Sequence, residues 1–297
     1  MLSAINCSVN LILEEKHKLT ASLKRIGLAR LDRSKRALAI PVTFMILLVS
    51  SLGLISITYY FAVEKVNTRS TVLKISTAKQ DMLSFSETLL PILWQPGSAR
   101  TFEFSDSGGK INVQPLSNSL TINVSDNRDI AATIFNETVG QVIYELPYSE
   151  SPDTGSFLKG DSRTITNQSG SLITQLKIRS GTEHPELLLR YRPTVSYTTA
   201  GIENGKAVNN LRIYLINLNS SQAFALYGRV PLKISCVTTQ ITTLTYSVYY
   251  SPETLTLTSI ISDQSGHVSV PISSAQDGAV INIEMVQCNI QIQRCIR

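Results

Sequence analysis

Histidine and cysteine are scarce in this chain, and what is missing around them removes most familiar chemistries. The three histidines, His17, His184 and His267, lie far apart and lack paired ligand spacing. The four cysteines, Cys7, Cys236, Cys288 and Cys295, include no CxxC pair. There is no G-x-S-x-G nucleophile elbow and no phosphate-binding glycine loop. Gly160-Asp161-Ser162 is similar to one esterase nucleophile block, with Asp263 and His267 as conceivable partners. Its mid-chain place and the Asp-to-His spacing argue against a hydrolase. Asp126-Asn127-Arg128-Asp129 and Ser105-Asp106-Ser107-Gly108 contain calcium-type ligands, but turns use the same residues for backbone reasons and no EF-hand-like spacing is present. The expectation is of no enzyme, no cofactor and no metal.

Charge is also sparse, at 16% of residues, and unevenly placed. The first 36 residues carry Lys16, Lys18, Lys24, Arg25, Arg30, Arg33, Lys35 and Arg36 against Glu14, Glu15 and Asp32. That arm alone accounts for the net charge of +5, and the rest of the chain is balanced. The remainder has no basic stripe with interleaved aromatics, so nucleic acid is not an expected ligand.

Between Ala37 and Val63 charge is absent altogether. A helix needs roughly 20 apolar residues to cross a bilayer, and this run is long enough. Tyr59, Tyr60 and Phe61 fall where an interfacial aromatic belt belongs. The basic cluster Arg33, Lys35, Arg36 abuts the other end, and the positive-inside rule keeps it cytoplasmic. Residues 64–297 are then extracellular. The N-x-S/T triplets at Asn123, Asn136, Asn167 and Asn219 all follow the span and are candidate N-glycosylation sites. A cleaved secretory signal is the main competitor; its core would be shorter and end in small residues.

Four segments follow. Residues 1–36 form a basic cytoplasmic leader, in part amphipathic over 10–31, suited to an anionic inner leaflet or simply solvated. Residues 37–63 form the transmembrane helix. Residues 64–93 form a stem helix, whose seam Ile75, Ala78, Met82, Phe85 and Leu89 repeats at three- and four-residue steps. Nothing from Val42 to Leu90 forces a break, so one helix of about 50 residues is expected, ended by Pro91. The seam must pack either on the chain's own β-domain or on the same helix of a neighbouring copy. Residues 94–297 are β-rich, with one or two subdomains. Short β-branched runs alternate with turns such as Asn204-Gly205 and Asp277-Gly278, and Leu211–Ile216 and Ile281–Met285 are apolar at every second residue. Many strands without helices between them predict an antiparallel sandwich or jelly roll. Outside the cell one disulfide among Cys236, Cys288 and Cys295 becomes plausible. Cys288–Cys295 would close a small loop, Cys236–Cys288 would tie two strands, and three buried unbonded thiols are the alternative.

The order of Lys35-Arg36-Ala37, then Leu38-Ala39-Ile40 and a long apolar helix, resembles the class III signal of archaeal type IV pilins and archaellins. The resemblance covers about residues 33–90. It implies a prepilin-type signal peptidase that cuts on the cytoplasmic side between Ala37 and Leu38. It also implies a retained helix that assembles with copies of itself, and a β-rich head facing outward. Val42 stands where many bacterial pilins carry a glutamate. Ser50, Ser51 and Gly53 supply the small residues that helix packing in lipid uses. The competing expectation is an uncleaved single-pass anchor that presents an interaction or envelope-contacting β-sandwich.

Overall fold

The structure, a computed structural model, describes residues 35–147, 154–167 and 173–295. The leader through residue 34, with Arg33, Cys7, His17 and the 10–31 amphipathic stretch, lies outside the described residues. The chain divides into two compact units, residues 1–66 and 67–297.

The uninterrupted helix is present as α1, Lys35–Leu89, 55 residues long. No glycine or proline occurs from Leu54 to Leu90, so no backbone N–H is lost over that length. A short 3-10 turn, Leu90–Ile92, carries Pro91 and ends it. Trp94 then takes a positive φ of 65° and turns the chain toward the strands.

Among the described residues thirteen strands follow: β1 (Ala99–Phe104), β2 (Lys110–Ser125), β3 (Ala131–Glu145), β4 (Phe157–Lys159), β5 (Thr174–Ser180), β6 (Pro185–Tyr191), β7 (Thr194–Glu203), β8 (Lys206–Asn217), β9 (Phe224–Tyr227), β10 (Val230–Val248), β11 (Thr254–Ile261), β12 (Gln264–Pro271) and β13 (Ala279–Arg294). They form two curled sheets. One has the order β1-β10-β13-β8-β7, the other β12-β11-β2-β3-β6-β5-β4, with β9 also on β2. The all-antiparallel expectation is corrected at one pair, because β8 and β13 run parallel. The chain between them makes the long excursion through β9 to β12 that a parallel pairing requires. Asn204 and Gly205 both have positive φ, as a two-residue hairpin between β7 and β8 demands.

The domain has two hydrophobic cores, and they lie on opposite faces of shared strands. On β13, Ile281, Ile283 and Met285 enter one core, while Cys288, Ile290 and Ile292 enter the other. The register of β13 on β8 is unbroken from Ala279 to Asn289. Odd and even positions along such a strand point to opposite sides. The same exchange occurs on β8, with Leu211, Ile213 and Leu215 in one core and Ile216, followed by Leu218 just past the strand, in the other. Where a strand passes between cores both its faces are covered, which gives the unbroken buried runs Val139–Tyr144 and Met285–Ile290. Gly140 sits at such a crossing; a Cβ there would lie 2.7 Å from Leu218 Cβ.

Only one core receives α1. Ala78, Met82, Phe85 and Leu89 are fully buried in it, with Ile75 packed at its margin. Phe85 meets Phe102 and Phe104 at ring distances of 5.4 and 5.2 Å. Asp81 accepts a hydrogen bond from the Ser105 amide at 2.8 Å, and Lys159 pairs with Glu87 at 3.5 Å. The seam therefore packs on the chain's own strands. Truncating Phe85 to Ala is expected to lower the unfolding free energy by about 3–5 kcal/mol. Val72→Ala, at an exposed position of the same helix, is expected to stay within about 0.5 kcal/mol. A denaturant titration followed through Trp94, the chain's single tryptophan, measures both.

Candidate functional site

The most unusual surface belongs to α1 itself. Every side chain from Val42 to Ser70 is exposed. Among them are Phe44 at 63%, Leu47 at 64%, Leu54 at 66% and Tyr60 at 67%. A soluble helix hides such residues along one stripe; here they surround the whole cylinder. This is the one helix, among the described residues, long and apolar enough to cross a membrane. The hydroxyls inside the run are already satisfied. Ser50 donates to the Ile46 carbonyl, Ser51 to Leu48 at 2.9 Å, Ser56 to Leu52 at 2.9 Å and Thr58 to Leu54 at 2.8 Å. Such back-bonding lets a hydroxyl sit in an apolar medium without an orphaned donor. Gly53 has open space where a Cβ would be.

The Ala37–Leu38 bond lies in the first turn of α1, two residues past Lys35 and one past Arg36. Pro41 is the seventh helical residue. Its missing N–H would have bonded the carbonyl four residues back, which is that of Ala37.

The other sequence-nominated residues scatter over the head. Asn136 is exposed on β3 and Asn123 half-buried on β2, each with its Oδ1 accepting from a threonine on the partner strand, Thr121 and Thr133 respectively. Asn219 is half-buried in the turn after β8. Asn167 is exposed, and the rest of its triplet lies outside the described residues. Cys236 and Cys288 meet in the helix-filled core, whereas Cys295 lies half-buried beyond the end of β13. The acidic turns spend their carboxylates on backbone. Asp126 accepts from the amides of Arg128 and Ile130 at 2.9 and 2.8 Å, and Asp106 from that of Gly108 at 3.2 Å. Asp126 also accepts a hydrogen bond from the Tyr250 hydroxyl, whose pKa is pushed up to about 12, first by desolvation and then by this bond.

Gly160-Asp161-Ser162 proves to be an anchored turn. Ser162, Asp263 and His267 are all exposed, and no hydrogen bond joins any of them to another. Asp161 instead binds Arg163 at 2.6 Å and the fully buried guanidinium of Arg192. Gln175 donates to the carbonyls of Asp161 and Arg163 at 2.6 and 2.7 Å, and accepts from Arg190 at 2.6 Å. Arg163 first and Arg192 second hold the Asp161 carboxyl well below the ordinary carboxylate range. Gly160 has φ of 79°, and a Cβ there would sit 2.4 Å from the Thr174 carbonyl oxygen.

One further surface escaped the sequence reading. Ser196, Thr198, Asn210, Arg212, Asn282 and Glu284 line a shallow groove of about 610 Å³ on the five-stranded sheet. Its members bond one another: Arg212 to Glu284 at 2.7 Å, and Asn282 to Asn210 at 3.0 Å. For Asn210, Arg212, Asn282 and Glu284 the signal was available, since they are the polar partners in the alternating runs of β8 and β13; Ser196 and Thr198 lie on β7, whose exposed run offers none.

Asp161→Asn removes the charge that faces the buried Arg192; because Asp161 itself is a third exposed and screened by solvent, the expected destabilisation of the head is about 1–2 kcal/mol, below that of a fully buried pair. The folded pKa of Asp161 is depressed, so its contribution is complete above the unfolded carboxylate value of about 3.9. It falls away as pH drops below that value toward the depressed one. The gap between the unfolding midpoints of wild type and variant should narrow from pH 7 to pH 2.

No family model, no curated protein and no solved structure matches the chain.

Proposed function

We propose that this chain is a non-enzymatic surface protein of pilin-like plan, held in the cell membrane by α1 and displaying its β-rich, sandwich-type head outside. The observation that carries the reading is the exposure of the apolar residues from Val42 to Phe61 on all faces of α1. Left in water, each such side chain forgoes about 1.5–3 kcal/mol of burial. Only lipid or other apolar helices can cover a helix on every side. The charge order supports the orientation, with the +5 arm before the span and a balanced head after it.

Two arrangements satisfy that surface. In one, a prepilin-type peptidase removes the leader and the helix packs against copies of itself. In the other, the leader stays and the helix is a fixed anchor. The order of Lys35-Arg36-Ala37 before Leu38, which resembles a class III signal, supports the first.

The deciding measurement is the N-terminal residue of the protein purified from its own membrane, read by mass spectrometry of terminal peptides. A start at Leu38, together with high-mass assemblies, is the expected result. A chain that begins at or near Met1 removes the pilin-like reading and leaves the static anchor. Recovery in the soluble fraction after alkaline extraction would sink both.

A further inference from the structure

Cys236 and Cys288 stand in the wall of the helix-filled core, on the adjacent strands β10 and β13. They are diagonal neighbours: Cys236 is opposite Ile290, and Cys288 is opposite Thr239. Val237 forms a bulge in β10 between them. The extra residue bends the strand and puts both thiols on the same buried face. Their sulfurs are 3.4 Å apart, and the two residues are 1% and 0% exposed. The third cysteine of the head cannot compete. Cys295 is separated from Cys288 by extended chain through Arg294, or roughly 20 Å at about 3.3 Å per residue. Its amide bonds the Pro231 carbonyl at 3.1 Å, which places it several residues down β10 from Cys236. A disulfide needs Cα atoms within about 7 Å.

We infer that Cys236 and Cys288 close into a disulfide when the chain folds in the presence of a small-molecule disulfide oxidant, and that Cys295 remains a thiol. One cysteine thiolate attacks the oxidant's S–S bond, expelling a small thiolate and leaving a mixed disulfide on the protein. The second cysteine thiolate attacks the protein sulfur of that mixed disulfide and expels the other small thiolate. The two cysteine protons end on the two released thiols, and the pair's two electrons have reduced the oxidant.

Timing follows from burial. Desolvation pushes the Cys288 thiol up, and with both cysteines buried the finished core gives an oxidant no entry. The bond closes before the core does, and afterwards it is shielded from reductants. The cross-link also fixes the place where α1 hands over to the sheets. Gly97 donates to the Cys236 carbonyl at 2.8 Å, and the Cys236 amide donates to the Ser98 carbonyl at 3.0 Å. This inference rests on the head's geometry and does not depend on the membrane reading.

The test is cell-free synthesis of the full chain in detergent with mixed reduced and oxidised glutathione. The monodisperse fraction is denatured without reductant, alkylated, digested and mapped by mass spectrometry. The expected map contains one linked peptide joining Cys236 to Cys288, with Cys7 and Cys295 alkylated. The thermal midpoint should lie several degrees above that of chain made with reduced glutathione alone. Cys295→Ser should leave the linked peptide unchanged. A link through Cys295, or alkylation of both Cys236 and Cys288 in the oxidised preparation, overturns the inference. Because the map is read on the unaltered chain, it decides even where a Cys288→Ser variant does not fold.

Discussion

The head depends on the burial of Met82, Phe85 and Leu89. These side chains belong to a helix, yet they occupy the middle of a core otherwise built from two curled sheets. Each contributes about 1.5–3 kcal/mol by leaving water. A domain's whole net stability is about 5–15 kcal/mol, so three such residues weigh as much as the margin itself. The helix end is thus a structural part of the head. The aromatic contacts of Phe85 with Phe102 and Phe104, and the bond from the Ser105 amide to Asp81, set the register in which it sits.

The second constraint is the exchange of buried faces along the long strands. A strand that feeds one core with its odd residues and another with its even ones must pass through a stretch buried on both sides. Such a stretch tolerates neither charge nor bulk at the crossing, which accounts for Gly140 against Leu218 and for the neutral hydrogen bonds from Gln287 to Asn289 and from Asn289 to the Thr238 hydroxyl. It also places irregularities where they are needed. The register of β2 on β3 shifts between Gln114 and Asn118, around Pro115, where the buried side of β2 changes from Ile111 and Val113 to Leu120 and Ile122. The bulge at Val237 in β10 stands beside the corresponding change on β13.

Much of this organisation was legible in the sequence, and the rest was hidden for several reasons. The continuous helix was readable because no residue between Leu54 and Leu90 opposes it, and the stem seam because its spacing is helical. Strands with a single buried face, such as Leu211–Ile216, were readable from alternation. By contrast Ser196–Glu203 of β7 is exposed on both faces and so carries no apolar period to read. The distal half of β10, threonine-rich and mostly exposed, lacks one for the same reason. Pro115 interrupts the pattern between Lys110–Val113 and Ser119–Val124, although the bulge lets β2 continue through it. The role of Asp161 was illegible, since its partner Arg192 arrives from 31 residues away through a sheet contact.

The hydroxyls of α1 bear on what the helix does on the proposed reading. Ser50, Ser51, Ser56 and Thr58 spend their donors on the helix's own carbonyls. They are then poor hydrogen-bonding glue between helices, and association in lipid must rest on shape. Gly53, with open space around it, allows a close approach of another backbone. Contacts of this kind are weak individually and need no partner in order to be satisfied. A subunit built this way is stable alone in a bilayer and still able to leave it for an assembly of like helices. A permanent oligomeric anchor would gain from interhelical hydrogen bonds, which the back-bonded hydroxyls of this helix do not provide.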